Sequence, residues 1–78
     1  KSMIGHLSAA AGVIQLASAI LSMRHKLITP TINYDAPDPE CDLDYVPNVS
    51  RQEAVKTVLV NTFGMGGHTA SLIVKKFE

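Results

Sequence analysis

One cysteine, Cys41, is the entire thiol content of these 78 residues. An internal disulfide framework is therefore excluded, and the count fits a reducing compartment. Charge is scarce and balanced. Seven basic and seven acidic side chains leave a net charge of zero, so there is no electrostatic basis for binding nucleic acid. No uninterrupted apolar run reaches the roughly 18 residues of a membrane span. The richest stretch, Leu7 to Met23, is broken by Ser8, Gln15, Ser18 and Ser22. It reads as a buried helix and not as a span. His6, His25 and His68 lack metal-ligand spacing, and Cys41 adds none. Internal repeats and low-complexity segments are missing. No signal peptide or start methionine is visible, so the chain is expected to begin inside a longer protein.

What is present is apolar matter. Forty-six per cent of residues are apolar and 18% charged, more than a body this small can easily hide. A stand-alone core of this length is marginal. The expectation is a single partial domain over 1–78 that belongs to a larger body or associates.

Alanine favours helix, and Ala9, Ala10, Ala11, Ala17 and Ala19 predict one over about residues 7 to 24. Leu7, Ala10, Ile14, Ala17 and Leu21 recur at helical spacing as its apolar face. Ser8, Gln15, Ser18 and Ser22 form a thin polar stripe. Gly12 and the alanines allow another backbone to come close. Arg24, His25 and Lys26 complement the negative helix end, and Pro30 prevents continuation.

Leu27 to Tyr34 can hold a short extended piece. Asp35 to Asn48, with Pro37, Pro39 and Pro47, is expected to be an ordered loop with one short strand near Leu43 to Val46. Asn48 or Ser50 then opens a turn through Arg51, Gln52 and Glu53. Val55 to Thr62 predicts a strand buried on both faces. Gly64, Gly66 and Gly67 break it, and Thr69 to Phe77 predicts the returning strand. The expected fold class is α/β: one long buried helix packed on a small sheet that includes a C-terminal hairpin.

Two strings point to chemistry. His6 stands where the helix begins. Helix N-termini present free N–H groups and partial positive charge, a setting that favours neutral imidazole. Neutral imidazole can donate to a carbonyl or enolate oxygen without first losing a proton. Gly5 removes a side chain where a substrate would approach. A histidine bonding a loop carbonyl accounts for the same pattern. The second string is Asn61-Thr62-Phe63-Gly64-Met65-Gly66-Gly67. A tight turn explains it as simply as a binding loop does. It is no P-loop, because it lacks the Lys-Ser/Thr pair and joins two strands. Asp38, Glu40, Asp42 and Asp44 match neither an EF-hand nor a glycosidase pair and read as a solvated acidic loop. Cys41 lies among them, opposite in character to the electropositive setting that activates a thiol.

KSMIGHLSAAAG, ITPTINYDAPDPECDLDYVPN and VNTFGMGGHTASLIVKK together resemble the C-terminal part of a β-ketoacyl-(acyl carrier protein) synthase. These are thiolase-fold condensing enzymes of fatty-acid and polyketide synthesis. The Pro-Asp-Pro-Glu-Cys-Asp-Leu-Asp-Tyr run is similar to the discrete, type II synthase II branch. The resemblance implies a cysteine nucleophile and a first histidine upstream of Lys1. It makes His6 the second histidine, which binds the extender thioester carbonyl during decarboxylation. Lys1 matches the motif lysine, an electrostatic support. Family members often carry glutamate where this chain has Gln15, a neutral amide that loses the carboxylate partner of that lysine.

By the same resemblance, Phe63, Gly64, Met65 and Gly66 form the oxyanion and gating loop. The Met65 N–H would pair with that of the absent cysteine, and its side chain would gate the acyl pocket. The usual residue at Met65 is phenylalanine, and methionine is more flexible. Asn61 would brace the loop. His68 and Thr69 depart from the usual small or polar residue followed by asparagine. The implied protein is a cytoplasmic acyltransferase without metal or redox cofactor. Its partners would be acyl carrier protein bearing acyl or malonyl groups, the remainder of the synthase, and a second copy in a homodimer. Neither nucleic acid nor membrane is expected as a partner. The isolated chain would be inactive. A non-catalytic truncated or interaction module, or a chain-length-factor-like subunit, is the alternative.

Overall fold

In the computed structural model, residues 1–77 are described, so the last residue of the expected 1–78 unit lies outside them. A 3-10 turn over Ser8–Ala10 leads directly into helix α1, Ala11–His25. The alanine run thus forms a helix within a turn of its expected bounds. Lys26 ends it in the left-handed region, at φ 55°, and its N–H donates to the Ser22 carbonyl. That geometry closes the helix end but strains any residue with a Cβ.

Strand β1, Leu27–Ile28, follows at once and pairs antiparallel with β2, Arg51–Gln52. The Arg51 to Glu53 segment is therefore a strand edge, where a turn was expected. The Glu53 N–H closes the pair onto the Lys26 carbonyl at 3.0 Å. Between them, residues 29–50 form an ordered loop. Thr31 bridges to Pro47 in parallel fashion, and Asn48 exchanges two side-chain bonds with Tyr34. No strand forms over Leu43 to Val46. Asp44 Oδ1 accepts the Val46 N–H at 3.1 Å, and Val46 sits at φ 50°. Local turn chemistry thus overrides the β-propensity of Leu43, Tyr45 and Val46.

Strands β3, Thr57–Phe63, and β4, Thr69–Lys75, make an antiparallel hairpin, with Val60 opposite Leu72 and Phe63 opposite Thr69. This hairpin is a second sheet, separate from β1–β2. α1 lies against β3. Val58 and Thr62 are half-buried and Val60 is buried, whereas Thr57, Leu59, Asn61 and Phe63 are exposed. β3 is thus covered on one face, not the expected two.

The expected burial of the helix is not found either. Only Ala19 and Met23 of α1 are buried, and with Val60 they make up the buried apolar core among the described residues. Burying Met23 and Val60 contributes about 1.5–3 kcal/mol each, little for a chain of this length. The packed side of α1 runs through Gly12, Leu16, Ala19 and Met23. At about 100° per residue, it lies opposite the expected face of Leu7, Ala10, Ile14, Ala17 and Leu21. All of these except half-buried Ile14 are exposed. The helix is apolar on two sides, and one side has no partner among the described residues.

Candidate active site

The segment Lys1–His6 is folded back on itself. The Lys1 carbonyl accepts the Gly5 N–H at 2.7 Å and the Ile4 N–H at 3.3 Å. Gly5 has φ +81°, and a Cβ there would meet nothing within 4 Å. Glycine is therefore suited to this turn by its backbone freedom, without any demand for space. Ser2 Oγ accepts the Ile32 N–H at 3.0 Å, which ties the turn to the chain beyond β1.

His6 follows this turn, exposed, two residues before the helical segment. Its Nδ1 accepts the Ser8 N–H at 2.9 Å. The bond satisfies one of the orphan donors of a helix start. It also sets the ring's tautomer. With Nδ1 as acceptor, the proton of a neutral imidazole sits on Nε2, directed away from the backbone. The plain reading has this histidine bonding a loop carbonyl; its bond is instead with a backbone N–H, which leaves Nε2–H as a donor.

Lys1 and Gln15 come together in one open cleft of about 440 Å³ between the N-terminal turn, α1 and β3. Its walls are mainly apolar, with Ile14, Ala19 and Val58 among them. Ser18 and Ser22 of the polar stripe also line it. His6 does not. The cleft is mostly the gap beside the packed face of α1, and His6 lies on its outside.

The glycine string forms the hairpin tip. Gly64 donates its N–H to the His68 carbonyl at 2.6 Å, and Gly66 and Gly67 stand at φ +83° and +89°. Met65 is 99% exposed and Phe63 76%. Among the described residues the Met65 N–H has no hydrogen-bond partner, so it is available as a donor. Asn61 Oδ1 accepts the Ser71 hydroxyl at 2.7 Å. Asn61 therefore braces the two strands below the tip, and among the described residues its side chain makes no hydrogen bond to the loop.

Gly12 relates these parts to each other. A Cβ built on it would lie 3.7 Å from Thr62 Cγ2. The N-terminal end of α1 thus sits beside the tip end of β3. No hydrogen bond joins His6 to the glycine loop among the described residues. In the sequence Ser8 stands out only as part of a polar stripe, and neither Ser71 nor the His68 carbonyl has a site role there. Ser71 was open to discovery by counting the hairpin register from its glycines. Ser8 and His68 act through backbone atoms, which leave no signature in residue type.

The acidic loop is solvent-facing. Cys41 is exposed and donates its N–H to the Asp38 carbonyl. Among the described residues no three of His, Cys, Asp and Glu converge as a metal set. No described helix is long and apolar enough to cross a membrane.

Residues 1–35 match the family model described as β-ketoacyl synthase, C-terminal domain. The chain is 50% identical over 97% of its length to the tetracenomycin polyketide synthase ketoacyl synthase alpha subunit of Streptomyces glaucescens. It is 46% identical over its whole length to a 3-oxoacyl-[acyl-carrier-protein] synthase 2 from Synechocystis. These matches cover 18% and 19% of the relatives, so the chain spans less than a fifth of their length. In structure it superposes with a TM-score of 0.85 on a chain of a type II polyketide ketosynthase complex with its acyl-carrier protein. That match has 36% identity and covers 90% of this chain and 17% of the other. The ishigamide ketosynthase/chain length factor gives the same TM-score at 35% identity, with 88% and 17% covered.

Proposed function

We propose that this chain, related in sequence and fold to the C-terminal part of the type II β-ketoacyl-(acyl carrier protein) synthases, supplies a histidine and the gating loop of a decarboxylative condensing site. The substrates are an acyl chain on a cysteine provided from outside these residues and a malonyl group on acyl carrier protein. The malonyl C–C bond breaks and carbon dioxide leaves. Its electron pair remains as an enolate. The enolate carbon then attacks the acyl thioester carbonyl, and the cysteine thiolate departs.

The observation that carries this reading is the Ser8 N–H bond to His6 Nδ1. It leaves Nε2–H free to donate to the developing enolate oxygen. A preorganised donor in such a place is typically worth about 3–4 kcal/mol of barrier. Lys1, with Gln15 across the same cleft, supports the charge of the site without a carboxylate partner at that position. The Met65 N–H serves as one oxyanion donor, and its side chain gates the acyl chain. Acyl carrier protein is the natural partner, as in the complex that the related ketosynthase forms. The parent works as a cytoplasmic homodimer, brings no metal or redox cofactor to this step, and the 78 residues alone turn nothing over.

The test is to replace His6 by alanine in the intact protein and follow both half-reactions. Malonyl decarboxylation should fall by two to three orders of magnitude, with acyl loading on cysteine much less affected. Equal losses in both would remove the enolate-stabilising role. A second reading, a chain-length-factor-like subunit, draws on the ketosynthase/chain length factor neighbour. The presence of His6 speaks for the catalytic reading. Decarboxylation that persists unchanged in His6→Ala would favour the second.

A further inference from the structure

The hairpin tip divides into a pinched rung and a free arc. At the rung, Gly64 and His68 face each other. The Gly64 N–H bonds the His68 carbonyl at 2.6 Å, and a Cβ built on Gly64 would lie 3.3 Å from His68 Cβ. That approach is closer than side-chain carbons normally make, so position 64 has no room for a Cβ unless His68 gives way. Beyond the rung the arc, Met65 to Gly67, is different. A Cβ on Gly66 or Gly67 would meet nothing within 4 Å, and Met65 is almost wholly exposed. Met65 and Gly66 form a turn, and among the described residues no side-chain hydrogen bond holds residues 65–67. The three glycines of this string thus serve two purposes. Gly64 answers a lack of space, and Gly66 and Gly67 answer a backbone conformation.

We infer that the Gly64–His68 rung is the hinge of this loop and that His68 is a positioning residue that acts through its backbone and Cβ. The moving part is then only Met65, Gly66 and Gly67. This rests on the reading of the tip as a gate, but the hinge is a statement about geometry and has its own readout. The imidazole ring plays no part in it. His68→Ala, which keeps the Cβ, should therefore behave as the parent protein does. His68→Gly removes the Cβ and should loosen the rung.

The experiment is amide hydrogen exchange resolved to single residues on the intact protein, with Val60 as an internal reference. The Gly64 amide should exchange at least about tenfold more slowly than those of Met65 to Gly67. His68→Gly should speed Gly64 exchange several-fold, and His68→Ala should not. Gly64→Ala should speed its own amide's exchange in the parent background and less so beside His68→Gly, because the second change makes the room that the first needs. In the same variants, His68→Gly should change KM or chain-length preference for the acyl substrate, and His68→Ala should change neither. Equal exchange at Gly64 and Met65, or equal effects of His68→Ala and His68→Gly, would overturn the hinge. A hinge that behaves as described without any change in acyl transfer would leave the geometry standing and remove the gate.

Discussion

Arg51 holds Asp44 with both arms of its guanidinium, Nη1 to Oδ2 at 2.5 Å and Nη2 to Oδ1 at 3.1 Å. The same carboxylate accepts the Val46 N–H. One side chain thus fastens the acidic loop to β2 and folds the turn that excludes a strand there. Because the pair is exposed, solvent screens it, and its effect is local order more than global stability.

The first prediction follows from this pair. The hydrogen bond from Arg51, then that from Val46, holds the Asp44 carboxyl below its ordinary value. A carboxyl lowered in the folded state contributes stability above its unfolded value and loses it as pH falls through the folded one. The loop should therefore keep its order at neutral pH and lose it below the ordinary carboxylate range. Arg51 is raised in turn, chiefly by Asp44. Its part is lost only as pH rises through that higher value, in strong alkali. Val46 amide exchange against pH should show the acid limb, and Asp44→Asn should abolish it.

The core sets the second prediction. With Ala19, Met23 and Val60 as its buried residues, the chain alone should have an unfolding free energy on the order of a few kcal/mol or less, or should gain it by self-association. Met23→Ala removes roughly 2 kcal/mol or more and should leave the isolated chain unfolded by circular dichroism. Sedimentation equilibrium tests the premise. A monomer of much higher stability would contradict it.

Lys26 carries the third. A left-handed φ of 55° at the helix end strains a residue with a Cβ. Lys26→Gly should stabilise the fold by roughly 0.5–1 kcal/mol, visible as a rise in Tm. A fall would mean that the side chain makes up for the strain.

The fourth concerns the tip. Gly66→Val has room for its side chain but not the backbone conformation, at a cost of about 1–2 kcal/mol confined to the loop. Acyl transfer in the intact protein should fall while Tm changes little. Met65→Ala keeps the N–H and should instead alter chain-length preference. No change in either rate or preference would remove Met65 from the gate.

The helix was legible because alanine has one preference, and the hairpin because three glycines punctuate two β-rich runs. The packed face of α1 was not. Leu7, Ile14 and Leu21 advertise one side, and Leu16, Ala19 and Met23 the other. When both sides are apolar, periodicity cannot say which meets the sheet. The β1–β2 pair escaped for another reason. Its strands are two residues long and separated by a loop, so no local pattern marks them. At the site, His6 stood out by residue type, whereas its partner is the backbone N–H of Ser8, which every residue but proline could offer.

The contact of Gly12 with Thr62 works as a gauge between helix and hairpin. Its setting is 3.7 Å for a first carbon, so alanine would fit there, whereas leucine would push the helix outward. His6 lies upstream of this rod, joined to it through Leu7 and the 3-10 turn of Ser8–Ala10. A larger residue at position 12 would thus shift the start of α1 against the tip end of β3. The spacing of helix and hairpin is therefore set at this position by the thickness of one side chain.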